Sequence, residues 1–263
     1  MHGDAGLLKI ALRLKVGERF HLDSLDLTKD GDAWKLTRIA GRFGASDIAG
    51  RLTVTMPNER LHFDADLNTR TLDIIDAGPF IGYDPKALAA GRVATTVAGR
   101  PRLLPDGPLR VDAISRFDAD VRYRVARVRA PNLPVSNVDL TLDLDRSLMV
   151  MSPLTLDVAG GKLASDISID ARQRPVFTRY DIRLSPTPLG TLLARFGTDQ
   201  AGTTGTIKAR VQMTGSGDSV RTSLAASNGR IAIILPRGTL WQRNIQLSEL
   251  DLGVYLQRLL GNE

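Results

Sequence analysis

Residues 41–82, GRFGASDIAGRLTVTMPNERLHFDADLNTRTLDIIDAGPFIG, contain the change of hydrophobic period that decides the fold. Ile48, Gly50, Leu52, Val54 and Met56 alternate with Ala49, Arg51, Thr53 and Thr55, the period of two expected of a strand with one apolar face. Pro57, Asn58 and Glu59 turn the chain. Leu61, Phe63, Ala65 and Leu67 then alternate with His62, Asp64, Asp66 and Asn68, so a second strand returns with its apolar side on the face of the first. From Leu72 the alternation stops. Leu72-Asp73-Ile74-Ile75-Asp76 places an acid in a first helical turn and runs into Gly78-Pro79, which predicts a short helix over 72–81.

This junction recurs. A pattern of one apolar residue, any residue, Leu, Ser or Asn, three of anything and Leu fits Ala65–Leu72, Ile182–Leu189 and Ile245–Leu252, and the last two continue into Gly190 and Gly253. The tetrapeptide Ala45–Ile48 is repeated as Ala164–Ile167, each copy upstream of a junction. Recurrence of this kind predicts stacked, related units, with further short helices over 187–197 and 248–260.

The rest of the chain is read outward from this unit. Leu8–Val16 alternates with charge, Phe20–Leu22 and Leu25–Leu27 form short pieces, and Trp34, Leu36 and Ile39 lead into the quoted stretch. Asp84–Ala90 suits one helical turn or a loop, and the Gly- and Pro-rich 99–116 reads as a connection. It separates a first segment, 1–98, from a second, 117–263. In the second, Phe117–Val125 and Val138–Leu144 alternate cleanly, Leu154–Val158 and Ile167–Ile169 flank the turn at Ala159-Gly160-Gly161, and Val176–Leu184 precedes the second junction. Ile207–Met213 is a further strand, and Leu224–Leu235 reads as two strands about Asn228-Gly229. Ser248 is placed to cap the last helix.

Composition narrows the functional classes. At 263 residues with 43% hydrophobic and 5% aromatic content, the chain can bury a sizeable core. It has no cysteine, hence no disulfide or thiolate metal site. The net charge of +6 is spread thinly, with Arg122, Arg124 and Arg127 interleaved with Asp118 and Asp120, and this argues against nucleic acid as a partner. Weak attraction to an anionic membrane surface is compatible with it. There is no apolar run of membrane-spanning length.

No catalytic constellation stands out. His2, His21 and His62 have no metal-ligand spacing, Asp139, Asp143 and Asp145 form a row on one strand's polar side, and Gly160-Gly161-Lys162 lacks the spacing of a phosphate loop. The expectation is a protein that is not an enzyme, with no metal and no cofactor. Its unusual feature is the quantity of one-sided apolar strand beside so little helix. A β-sandwich would cover those faces with each other, and periodicity alone favours it; a single curved sheet would leave them lining a groove.

A resemblance shifts that balance. GRFGASDIAGRLTV followed by LHFDADLNTRTLDIIDAGPFIG, then Asp118–Tyr123, Arg127–Leu133, Val138–Leu144 and Ala159–Lys162, resembles the AsmA family of bacterial envelope proteins in the order of its pieces. The resemblance implies a mainly β fold, an elongated, curved antiparallel sheet folded like a taco with a few short helices, the closed sandwich remaining the alternative. It implies a non-catalytic, Gram-negative periplasmic protein of the bridge-like lipid-transfer class, handling phospholipid acyl chains between inner and outer membranes and serving outer-membrane assembly. An inner-membrane anchor is typical of the family and is lacking here, so the chain reads as a fragment. A structural scaffold or protein-binding module, with envelope proteins as partners, is the alternative function. The residues expected to line the groove are Leu52, Val54, Phe63, Leu67, Val121, Tyr123, Leu140, Leu142 and Leu156.

Overall fold

A computed structural model describes residues 20–77, 96–97, 100–101, 115–129, 135–195 and 204–235. The predicted strand Leu8–Val16, the segment 84–90 and the helix over 248–260 lie outside those residues.

Along the chain run β1 (Phe20–Asp30), β2 (Ala33–Phe43), β3 (Ser46–Thr55), a 3-10 turn (Pro57–Glu59), β4 (Leu61–Asp73) and α1 (Ile74–Ala77). A two-residue pair follows, β5 (Thr96–Val97) with β6 (Arg100–Pro101). The second half holds β7 (Phe117–Arg129), β8 (Val135–Asp145), β9 (Leu148–Val158), β10 (Gly161–Asp170), β11 (Phe177–Pro188), α2 (Leu189–Arg195), β12 (Thr206–Ser216), α3 (Val220–Ala225) and β13 (Asn228–Ile234).

All the long strands belong to one sheet of eleven, in the order β1-β2-β3-β4-β7-β8-β9-β10-β11-β12-β13. It is not closed into a barrel. Every neighbouring pair in it is antiparallel except β4 and β7, which run parallel from Leu61 opposite Phe117 to Asp73 opposite Arg129. The sheet is thus mixed, with one parallel seam inside the expected antiparallel arrangement. A parallel pair needs a long return of the chain, and the predicted connection provides one. No hairpin sets the register of this seam, but Arg60 bridges its two strand starts. Its guanidinium donates to Asp118 Oδ2 at 2.7 Å and to the carbonyls of Ser115 and Phe117 at 2.9 and 3.0 Å.

The sheet is curved, and its bulges explain why. Register shifts interrupt the ladders β1–β2, β2–β3, β8–β9, β9–β10 and β11–β12. Arg38 and Asn137, at two of them, take φ of 48° and 50°. Each bulge bends its strand and increases the local twist, and repeated bulges coil a wide sheet. Two shifts fall at prolines, Pro153 in β9 and Pro186 in β11, positions where a strand can lose a donor without ending. For this reason β9 and β11 outrun the predicted 154–158 and 176–184.

Three other expectations are corrected. The short pieces at Phe20–Leu27 are one bulged strand. The helix predicted over 72–81 starts at Ile74, because β4 runs on to Asp73, and is described to Ala77, while 78–81 lie outside the described residues. Leu224–Leu235 is not a hairpin: α3 ends at Ala225, and Gly229 lies inside β13 opposite Met213. The reason is local, because Ser219 Oγ accepts from Thr222 N at 3.0 Å while Thr222 Oγ1 accepts from Ser219 N at 2.9 Å, a capping box that starts a helix.

Among the described residues no closed sandwich forms. The fully buried apolar residues are few for a sheet of this size: Val125 is 2%, Val176 0% and Leu144 3% exposed, but most of the apolar face is only half-buried.

Candidate functional site: the apolar face of the sheet

Cross-strand register carries the apolar face from hairpin to hairpin. One row runs Leu36, Leu52, Ala65, Val121, Leu142, Met151, Ile167, Tyr180, Met213. The next runs Leu67, Tyr123, Leu140, Leu154, Ser165, Ile182, Val211, Ile231. On its other side lie Trp34, Val54, Phe63, Ala119, Leu144, Met149 and Ile169. Leu156, Leu163, Leu184 and Ala209 form a fourth row toward the opposite strand ends.

All nine predicted groove residues therefore share one face. Leu52, Val121 and Leu142 are in the first row, Leu67, Tyr123 and Leu140 in the second, Val54 and Phe63 in the third, and Leu156 in the fourth. Each is half-buried. Phe63 meets the ring of Phe117 edge to face, 5.2 Å between centroids. At the usual strand spacing, eleven strands give this face a length on the order of 50 Å. Exposed apolar area on that scale is costly in water, about 25 cal/mol per Å², and marks a surface made to be covered.

Three helices sit at the strand ends. At one rim, the turn between β2 and β3 packs under α1: Asp76, 4% exposed, accepts from Ala45 N at 2.8 Å and Ser46 Oγ at 2.7 Å. Ser46 Oγ in turn accepts from Asp73 N at 2.8 Å. Gly44 leaves room for the carboxylate, since a Cβ there would lie 2.0 Å from Asp76 Oδ1. The turn between β9 and β10 repeats the arrangement beside α2, where a Cβ on Gly161 would lie 1.8 Å from Thr187 Oγ1. The hairpin, strand, helix unit is thus built twice, at the first two predicted junctions. The Ala164–Ile167 echo is not equivalent, because it sits within β10 and not at a turn.

At the other rim α3 lies against the apolar side. Ser223 is fully buried, Tyr180 donates to its hydroxyl at 3.4 Å, and its carbonyl crowds Gly215. Sequence reasoning missed this cover; the Ser219–Thr222 spacing was the signal.

Charged residues line the outer face in cross-strand pairs. Arg51 meets Asp64 at 3.3 Å, Arg210 meets Asp181 at 2.9 Å, and Arg183 pairs with Asp166. Most are exposed, so each adds little stability and the set serves mainly to keep this face wet. His62 Nε2 lies 3.1 Å from Asp120. Among the described residues no cluster of His, Asp or Glu could hold a metal ion.

The carboxylates shift in two directions. Burial raises Asp47, but the N–H groups of Arg70 and Thr71 and the Arg70 guanidinium outweigh it and leave the carboxyl below its ordinary 3.8. The Arg60 guanidinium, followed by the Arg146 N–H, lowers Asp118 against the opposing effect of burial. The stability these two contribute is complete above 3.8 and is lost as pH falls through their lower native values. Asp143 has the opposite sign: burial first, then the hydrogen bond and charge of Asp120 and the charge of Asp145, raise it. Its ionisation therefore costs stability at neutral pH and is relieved in acid. Asp143→Asn is expected to melt above the parent at neutral pH, with the difference gone below pH 3.8; a constant difference across the pH range would contradict this origin.

The AsmA family model matches residues 8–260. The chain is 28% identical over 224 residues to the AsmA family protein YhjG of Escherichia coli (strain K12), a match covering 82% of this chain and 32% of that protein. It thus spans about a third of the length of that relative. No solved structure matches it significantly.

Proposed function

This chain belongs to the AsmA family, and from that premise we propose that its apolar sheet face carries phospholipid acyl chains, without catalysis, in traffic between the inner and outer membranes. The AsmA family is a bacterial envelope family and not a known enzyme family. The observation that carries the reading is the continuous apolar face, half-buried along rows that cross from β2 to β12, with no second sheet over it among the described residues. Such a face loses water-exposed area when an acyl chain lies on it, each buried methylene contributing about 0.8 kcal/mol.

The protein works in the periplasm, and as part of a longer chain held at the inner membrane it supports outer-membrane assembly. No helix among the described residues is long and apolar enough to cross a membrane. Native mass spectrometry of the purified chain tests the reading: phospholipid adducts support it, and a bare chain from a lipid-containing host, with no uptake from vesicles, overturns it. The scaffold alternative rests on β13, the last strand of the sheet among the described residues, with Ile231, Ile233 and Ile234 exposed, to which an envelope partner could add a strand.

Contact with the membrane surface itself is weak in this reading, because the net charge of +6 is diffuse. Co-sedimentation with anionic liposomes is expected to fall steeply with added salt. Tight binding that ignores salt would instead show an inserting element.

A further inference from the structure

We infer that Arg127, flanked by Thr71 and Ser136, receives the phosphate of a phospholipid headgroup at the rim of the apolar face. The inference rests on the groove reading above and assigns it a headgroup class. Along β7 the pleat keeps Ala119, Val121, Tyr123 and Val125 on the apolar side, with Arg122 and Arg124 exposed on the other. Two residues beyond Val125, which is 2% exposed, Arg127 follows on the same side and is exposed. The polarity of this face therefore changes from hydrocarbon-like to cationic within about 7 Å, one pleat repeat. An amphiphile changes polarity on the same scale.

Register places a hydroxyl on either side of the guanidinium: Thr71 in β4 and Ser136 in β8 are the cross-strand partners of Arg127, both half-buried. One step further along, Arg129 meets its register partner Asp73 at 3.6 Å. Arg129 therefore answers Asp73, Asp47 accepts from the Thr71 N–H at 2.8 Å and is met by Arg70, and Arg124 pairs with Asp66 on the outer face. Asp157, beyond Ser136 in β9, accepts from Asn137 at 2.7 Å. Arg127 has no ion pair with any described residue.

A planar guanidinium between two hydroxyl donors matches the oxygens of a phosphodiester, which it can meet through two parallel hydrogen bonds. One exposed cation holds a free anion only weakly. The acyl chains supply most of the affinity, and Arg127 selects which head is accepted.

The test offers the purified chain vesicles of dioleoylphosphatidylglycerol carrying a minor fraction of dioleoylglycerol, which has the same acyl chains and no phosphate. Adducts are counted by native mass spectrometry relative to lipid supplied. The parent should prefer the phospholipid, Arg127→Gln should lower that preference by about tenfold with diacylglycerol uptake unchanged, and Arg127→Lys should restore part of it. An unchanged preference in Arg127→Gln, with both lipids still captured, overturns the headgroup site and leaves the groove standing. Capture of neither lipid by the parent overturns both readings. Thermal stabilisation of the parent by inorganic phosphate, lost in Arg127→Gln and without any preference between the two lipids, would assign the site to a free anion and overturn the lipid assignment.

Discussion

Leu140→Asp is expected to abolish crosslinking of lipid to a photoreactive residue at position 63 while most of the cooperative melt survives. Leu140 is half-buried in β8, in register with Tyr123 and Leu154, on the face it shares with Phe63 two strands away. A carboxylate there stands where acyl chains must pass, and an ion cannot be covered by hydrocarbon without losing its hydration. Among the described residues no second sheet covers the position, so the new charge keeps access to water and most of its penalty appears only when lipid arrives.

Leu144→Asp is the control. Leu144 lies on the same strand and face but is only 3% exposed. The same charge there has no water to reach, and the expected loss is about 4 kcal/mol, enough to unfold many domains. Retained melting in Leu140→Asp beside collapse in Leu144→Asp distinguishes an open groove from a closed core. Equal collapse in the two variants, with no crosslinking in the parent chain, would sink the groove reading.

The second large effect is expected at the rim. Asp76→Ala removes the acceptor of Ala45 N and Ser46 Oγ, leaving the turn donors unpaired in a place where Asp76 itself is 4% exposed. Deleting a buried, charge-assisted acceptor of this kind is expected to cost about 3 kcal/mol. Gly44→Ala should also destabilise, since the added Cβ would meet Asp76 Oδ1 at 2.0 Å and Gly44 has φ of 62°. In the double variant the clash has lost one of its two parties, so the combined cost should fall short of the sum. Thermal melts of the three variants check this; strict additivity would show that the turn and α1 are not coupled through these atoms.

These residues also show where the sequence could be read and where it could not. Alternation identified β3, β4, β7 and β8 and assigned all nine candidate residues to one side of their strands, because a period of two is a local property of the backbone. It stopped short at Pro153 and Pro186, where a local rule ends the strand but the neighbouring ladder accepts a bulge. Asn228-Gly229 carried a hairpin signal that the Ser219–Thr222 capping box and the β12 ladder overrode. The acid that predicted a helix at Asp76 proved to serve a turn thirty residues earlier in the chain, a partner no local pattern names.

By itself the sequence determined which side of β3, β4, β7 and β8 is apolar, where the first two helix junctions fall, and that the chain resembles the AsmA family. Only the tertiary structure decided whether those apolar sides would cover one another or stay open, because side-chain alternation is the same in a sandwich and in a groove. The bulges that coil one eleven-stranded sheet, the parallel seam between β4 and β7, and the rims closed by α1, α2 and α3 arise from contacts between residues far apart in the chain, and they left the apolar face open.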